Sequence, residues 1–176
     1  MRIVGPLTGP VSVPECDGDG LLMAIEAGAK LGNMQNAWWQ QTVLELKAQH
    51  RDAKPNYILA SDERARPGAI LVNRAGKRFV NEAANYNAMG IALPAFDAGS
   101  HPYYNLPYWL IFDERYRNKY PVFTSDPGQE VPPYVMKANT LEELADVAGI
   151  DATGLQETVA RFNDLVRKGH DDDFNR

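Results

Sequence analysis

Residues 67–90 read PGAILVNRAGKRFVNEAANYNAMG. An apolar run, Ala69-Ile70-Leu71-Val72, passes through Asn73-Arg74-Ala75-Gly76 and returns as Lys77-Arg78-Phe79-Val80. Two β-favouring runs joined by a short loop containing Gly predict a hairpin. Gly76 is expected in the left-handed conformation that such a loop requires. Beyond the hairpin comes a polar cluster, residues 81–87, with Asn81, Glu82, Asn85, Tyr86 and Asn87. Groups held just past a rigid element often carry function. Loops are also polar by default, and on residue types alone the solvated-loop reading is preferred.

The 176 residues suit one domain with a real core, and 44% hydrophobic and 23% charged content is ordinary for a globular protein. A net charge of −5 argues against nucleic acid or an anionic membrane surface as a partner. No apolar run approaches the ~20 residues of a membrane span, and the opening MRIVGPL is too short and too broken for a secretory leader. One cysteine, Cys16, excludes an internal disulfide and fits a reducing, cytoplasmic setting.

Upstream, Gly18-Asp19-Gly20 precedes LLMAIEAGAKLG at 21–32, which predicts a helix of about three turns. Asp19 is its expected N-cap, Gly28 an interior position for close packing, and Gly32 its C-terminal cap. The first-turn amides could receive a phosphate or ribose oxygen. Trp38 and Trp39 read as core or interface residues. Residues 49–56 read as a polar turn and 57–60 as a short strand. Downstream, 91–108 reads as a long loop with some local helix, and 108–112 (YWLIF) as a buried strand. Asp113 caps a brief helix at 114–120, and Asp126-Pro127-Gly128 forms a turn. Thr140-Leu141-Glu142-Glu143 is a capping box for a helix ending near Gly149. A second helix begins at Asp151, buries Leu155, Val159, Phe162 and Val166 with Leu165 beside them, and ends at Gly169. His170-Asp171-Asp172-Asp173 reads as a solvated tail.

The three histidines lie far apart, so no metal site is expected. No Gly-x-Ser-x-Gly, phosphate loop or Gly-x-Gly-x-x-Gly is present, so no segment here holds a dinucleotide alone. Tyr86 remains as a catalytic candidate. A phenol ionises near ~10 in water and needs help to act as a base.

Further segments share a pattern with the opening stretch. RPGAILVN at 66–73 and GKRFVNE at 76–82 resemble the flavoprotein family that includes fumarate reductases and 3-ketosteroid 1-dehydrogenases. ANY at 84–86, WLIFD at 109–113 with Tyr116-Arg117, ANTLEELA at 138–145, TVARFN at 158–163 and 169–174 extend the likeness. The resemblance implies an α+β fold: a small antiparallel sheet with flanking helices, like the catalytic domain inserted into the flavin domain. Residues 1–60 would then end the first flavin-domain segment, and 61–176 would be the inserted, substrate-binding domain. The fingerprint for FAD would lie upstream and the sequence closing the active site downstream. The isolated chain is therefore expected to be inactive.

By the same resemblance, the reaction is dehydrogenation of a 3-oxosteroid or a similar apolar ketone. FAD takes the hydride and Tyr86 the proton. Gly18, Asp19 and Gly20 approach the cofactor, and Glu82, Asn85 and Asn87 are substrate-pocket candidates. The partners implied are a small apolar substrate and an unidentified electron acceptor. One alternative is a fumarate reductase-like or enone-reducing flavoprotein, although the run after Glu82 lacks the arginine that binds a dicarboxylate in that branch. Another is a non-catalytic steroid- or lipid-binding module.

Overall fold

A computed structural model describes residues 15–34, 38–41, 43, 61–93, 95, 98–99 and 103–176. The elements are α1 (Asp19–Glu26), α2 (Ser61–Ala65), β1 (Ala69–Asn73), α3 (Tyr86–Ala92), β2 (Tyr108–Phe112), α4 (Glu114–Lys119), α5 (Leu141–Ala148) and α6 (Ala152–Lys168). The chain is thus mixed, with helices around one small antiparallel sheet. Residues 1–14 and the expected turn and strand at 49–60 lie outside the described residues.

β1 and β2 pair antiparallel, Ala69 opposite Phe112 through Asn73 opposite Tyr108. Every β1 residue is buried, whereas β2, expected to be buried, is only half-buried. Side chains alternate across a strand, so β1 feeds separate clusters. Ile70 and Val72 join Ala145, Ile150 and Leu155 beneath α5 and α6. On the opposite side Ala69 packs with Tyr116 and Val122, and Leu71 with Val80 and Met89. Met89 belongs to α3, so the sheet directly supports the helix that Tyr86 begins.

The expected hairpin is corrected. The returning arm at 77–80 forms one isolated bridge, Val72 to Arg78, and the strand partner of β1 is β2 instead. Asn73 explains the departure. Its Oδ1 accepts from Ala75 N and Lys77 N, both at 3.1 Å, so a side chain closes the loop and draws the chain off the ladder. The loop itself follows expectation, with Gly76 at φ +69°. It also docks on the start of α6, where Arg74 O accepts from Asp151 N at 2.9 Å. A Cβ on Gly154 would fall 2.0 Å from Ala75 O. Gly154→Ala is therefore expected to destabilise the protein by about 1–3 kcal/mol, as overpacking against backbone does. Urea unfolding that shows no loss would refute the close approach.

The C-terminal helices form as the sequence predicts. Thr140 Oγ1 accepts from Glu143 N and Glu143 Oε2 from Asn139 N, while Gly149 and Gly169 end α5 and α6 in left-handed conformations. Asp151 caps α6 by accepting from Gly154 N at 2.7 Å. The buried stripe of α6 runs through Leu155, Thr158 and Leu165, with Val159 and Phe162 half-buried, and Val166 is exposed rather than buried. After Gly169 the chain folds back beside α6, with Asp173 Oδ1 accepting from Arg161 Nη2 at 2.8 Å. The expected solvated tail is corrected at Asp171, which is 6% exposed, whereas His170, Asp172 and Asp173 are exposed as expected.

At the other end α1 has eight residues, not twelve. Gly18, at φ +104°, is its N-cap, so Asp19 lies in the first turn instead. Gly28 sits past its end at φ +88°, where an added Cβ would touch nothing. No α1 residue is buried. Trp38 is not core but 82% exposed, while Trp39 is half-buried. Among the described residues, no helix is long and apolar enough to cross a membrane.

Candidate active site

The polar cluster at 81–87 divides into an anchored half and an open half. Asn81 Oδ1 accepts from Ala83 N at 2.8 Å, and its Nδ2 donates to Phe174 O at 3.0 Å. Glu82 is 0% exposed. Its Oε1 accepts from Arg78 Nε at 2.8 Å and Leu71 N at 3.2 Å. Its Oε2 accepts from Arg78 Nη2 at 2.8 Å and Arg176 Nη1 at 3.0 Å. Arg64 donates to the Glu82 carbonyl. A buried carboxylate needs this density of charged donors to offset its lost hydration. Both oxygens of Glu82 are committed, so it anchors the loop from inside the protein.

Asp171 completes the cluster, accepting from Arg78 Nη2 at 2.7 Å. The Arg78 guanidinium lies 5.0 Å from the Phe162 ring centroid and 4.9 Å from that of Phe174, a cation–π arrangement on both sides. Burial alone would lower the Arg78 pKa, but hydrogen bonds to Glu82 and Asp171 prevail and raise it. Arg176 donates to the carbonyls of Ala65, Arg66 and Ala69, fastening the tail to the entry of β1.

For Asp171 burial pushes the pKa up, and hydrogen bonding with the charge of Arg78 outweighs it, leaving the group below its ordinary 3.8. A carboxyl depressed in the folded state adds stability above its unfolded pKa and loses it as pH falls through the folded one. Asp171→Asn should therefore flatten the decline in stability below about pH 4. Thermal unfolding between pH 2 and pH 7 checks this, and an unchanged acid limb rejects the linkage.

The open half begins at Asn85, the N-cap of α3, whose Oδ1 accepts from Ala88 N at 2.9 Å. Tyr86 is the first helical residue and Asn87 the second, so both lie in a helix where the sequence suggested a loop. Tyr86 is half-buried, and Asn85 and Asn87 are exposed. No hydrogen bond to the Tyr86 hydroxyl occurs among the described residues. At its far end α3 is held by Asn105, which donates to Ala92 O at 3.0 Å and accepts from Asn73 Nδ2 at 3.0 Å.

The other tyrosines of the interior are differently placed. Burial pushes the Tyr116 phenol up to about 12, and it donates to Glu63 O. Burial likewise raises Tyr108, with Arg64 opposing, and its ring stands edge-on to Phe79 at 5.8 Å. Both are held as neutral phenols, Tyr116 buried and Tyr108 half-buried. Tyr86 combines partial exposure, a fixed helical position and an uncommitted hydroxyl.

Gly18, Asp19 and Gly20 lie apart from this cluster in sequence, at the start of α1. Leu21 N and Leu22 N both donate to Gly18 O, leaving the Asp19 and Gly20 amides without an intrahelical acceptor. A Cβ on Gly18 or Gly20 would meet nothing within 4 Å. Arg78, Asp171 and Arg176 were not singled out as site residues from the sequence. For Asp171 the extension of the family pattern through 169–174 was the available indication.

Residues 8–176 match the family model described as FAD binding domain. The chain is 39% identical over 165 residues to 4-oxocyclohexanecarboxylate 2-dehydrogenase of Sinomonas cyclohexanicum, covering 94% of this chain and 28% of the relative. It is 41% identical over 170 residues to a 3-oxosteroid 1-dehydrogenase of Mycobacterium tuberculosis, covering 90% and 28%. Its fold is similar to the crystal structure of 3-ketosteroid delta1-dehydrogenase from Sterolibacterium denitrificans in complex with 1,4-androstadiene-3,17-dione, with a TM-score of 0.76 and 34% identity over 92% of this chain and 29% of that one. The chain thus spans under a third of the length of the relatives it matches.

Proposed function

This chain belongs to the FAD binding domain family, and from that premise we propose that it supplies the substrate-facing part of a flavoprotein that dehydrogenates a ring ketone, a 3-oxosteroid or a smaller apolar relative. The names of both relatives place the dehydrogenated carbon two ring positions from the oxo carbon. An oxo group acidifies the carbon between them, which is where a base is needed. Residues 61–176 form the substrate-binding unit in this reading, and residues 1–60 a segment of the flavin domain.

The residues present fit one edge of FAD. The free Asp19 and Gly20 amides can donate to a phosphate or ribose oxygen, the Asp19 carboxylate can accept from a ribose hydroxyl, and no side chain obstructs Gly18 or Gly20. When bound, the cofactor supplies a two-electron acceptor for hydride. The chain's own share is the proton. With its own proton already lost to solvent, Tyr86 Oη takes it as a tyrosinate from the carbon beside the oxo group, and the helical position of Tyr86 sets the direction of approach. Asn85 spends its Oδ1 on the cap and retains Nδ2 as a donor, and Asn87, next to Tyr86, is exposed. Glu82 holds the strand-to-helix connection that presents Tyr86.

The observation that carries this reading is the open Tyr86 hydroxyl on an anchored connection, in a chain 41% identical to a 3-oxosteroid 1-dehydrogenase. The test uses the FAD-loaded protein that carries this chain, with an artificial electron acceptor. Acceptor reduction is expected with a 3-oxosteroid or a 4-oxocyclohexane ring and not with the matching alcohols. If the loaded protein oxidises none of these ketones, the reading fails.

A further inference from the structure

Gln41 is 2% exposed, and among the described residues neither its amide nitrogen nor its amide oxygen has a hydrogen-bond partner. A primary amide brings two N–H donors and two acceptor lone pairs, and folded proteins seldom bury them unanswered. The catalytic reading makes no use of this side chain.

Trp39 indicates where the amide sits. It presses on α3 at Gly90, so closely that a Cβ built on Gly90 would fall 2.1 Å from Trp39 Cβ. Only glycine admits this contact. Gly90 is four residues beyond Tyr86, hence on the same side of α3 and about 6 Å along its axis. Gln41 follows Trp39 by two residues and lies at most about 7 Å further along the chain. Through Trp39, the segment that carries Gln41 is thus tied to the turn of α3 that follows Tyr86.

We propose that Gln41 is a specificity-determining residue that hydrogen-bonds an oxygen substituent of the substrate other than the activating oxo group, a second oxo, a hydroxyl or a carboxylate. The proposal rests on the ring-ketone reading above. A hydroxyl would engage both the oxygen and the nitrogen of the amide, and an oxo or carboxylate group the nitrogen alone. A site built to bond a substituent rejects the analogue lacking it, because the buried amide is again left unpaired.

The test compares 4-hydroxy- and 4-carboxycyclohexanone with 4-methylcyclohexanone in the FAD-loaded protein that carries this chain. Gln41→Leu should raise KM about tenfold or more for the two oxygenated ketones, leave the methyl analogue unchanged, and hold kcat within about twofold. Gln41→Met, closer in shape, serves where the leucine variant loses flavin. Gln41→Glu should reject the carboxylate ketone while retaining the hydroxy ketone. Ligand binding followed by flavin absorbance reads the same preference without turnover. A protein that binds these ketones but oxidises none rejects the dehydrogenase reading and leaves the amide's role to the binding data. Equal changes for all three ketones, or no change, overturn the proposal. A fall in Tm with unaltered substrate preference does so as well, because it makes Gln41 a packing residue.

Discussion

Tyr86→Phe is expected to lower kcat by about 10²- to 10⁴-fold, the range that a positioned general base contributes. The substitution removes one oxygen and keeps the ring. That oxygen has no hydrogen bond among the described residues, so its loss breaks none there. Stability should shift by no more than about 0.5 kcal/mol, as for substitutions away from buried networks. Flavin content should be unchanged, because the residues assigned to the cofactor lie at the start of α1. The comparison that separates a base from a binding group is kcat against KM. An interaction made only in the transition state lowers kcat and kcat/KM together. A raised KM with kcat intact would make Tyr86 a binding residue, and near-normal values for both would remove it from the mechanism. Tyr116→Phe is the useful control. It deletes a buried bond to Glu63 O, so it should cost stability with little effect on turnover per folded molecule.

What could be read in the sequence follows the range of the interactions involved. Caps are local, and those at Asn85, Asp113, Thr140 and Asp151 each depend on a residue at most three positions away. For Asp113, Thr140 and Asp151 both the helix and its start are legible in the residues themselves. The turn at 126–129 is equally local, with Gln129 N donating to Asp126 O at 3.1 Å and Gly128 at φ +82°. The pairing of β1 was misread because two sequence-adjacent β-favouring runs look like a hairpin, while the actual partner begins 35 residues beyond the end of β1. Nothing in residues 67–80 encodes that choice apart from Asn73, whose side chain closes the loop. The short α1 shows the same limit from the other side. Its periodicity extends past Glu26, and the left-handed Gly28 stops it.

The site was legible in part. Tyr86 stood out only through resemblance, since a tyrosine in a polar stretch has no pattern of its own. The arginine–carboxylate cluster was hidden because its members are spread over Arg64, Arg78, Glu82, Asp171 and Arg176, and charge in a sequence reads as surface by default. The run of aspartates at 171–173 illustrates the problem. Asp172 and Asp173 pair with partly exposed Lys168 and Arg161, as a solvated tail would, while Asp171 turns inward to Arg78. No compositional measure separates the three.

Glu82→Gln should be the most damaging single change to stability, about 3–5 kcal/mol, the cost of removing one partner from a buried ion pair. The glutamine keeps the volume and one acceptor oxygen but loses the charge. Arg78, at 5% side-chain exposure, then keeps Asp171 as its carboxylate partner, while Arg176, at 13%, loses the one carboxylate it pairs with among the described residues. For a chain of this length the loss corresponds to a fall in Tm of about 6–20 °C. Glu157→Gln provides the contrast. Its bridge to Lys77 is short, at 2.5 Å, yet the two side chains are 64% and 46% exposed, so its removal should cost less than about 1 kcal/mol. Distance alone ranks these two bridges in the wrong order, and burial decides. A Tm for Glu82→Gln within about 2 °C of the parent would show that the cluster is open to water and that the Tyr86 connection is held by its backbone bonds instead. If the loss is as large as expected, variants refolded at low temperature give a second reading. Tyr86 is four residues from Glu82, so a loosened anchor should lower kcat before it lowers flavin content, because the connection carries the base and α1 carries the cofactor edge.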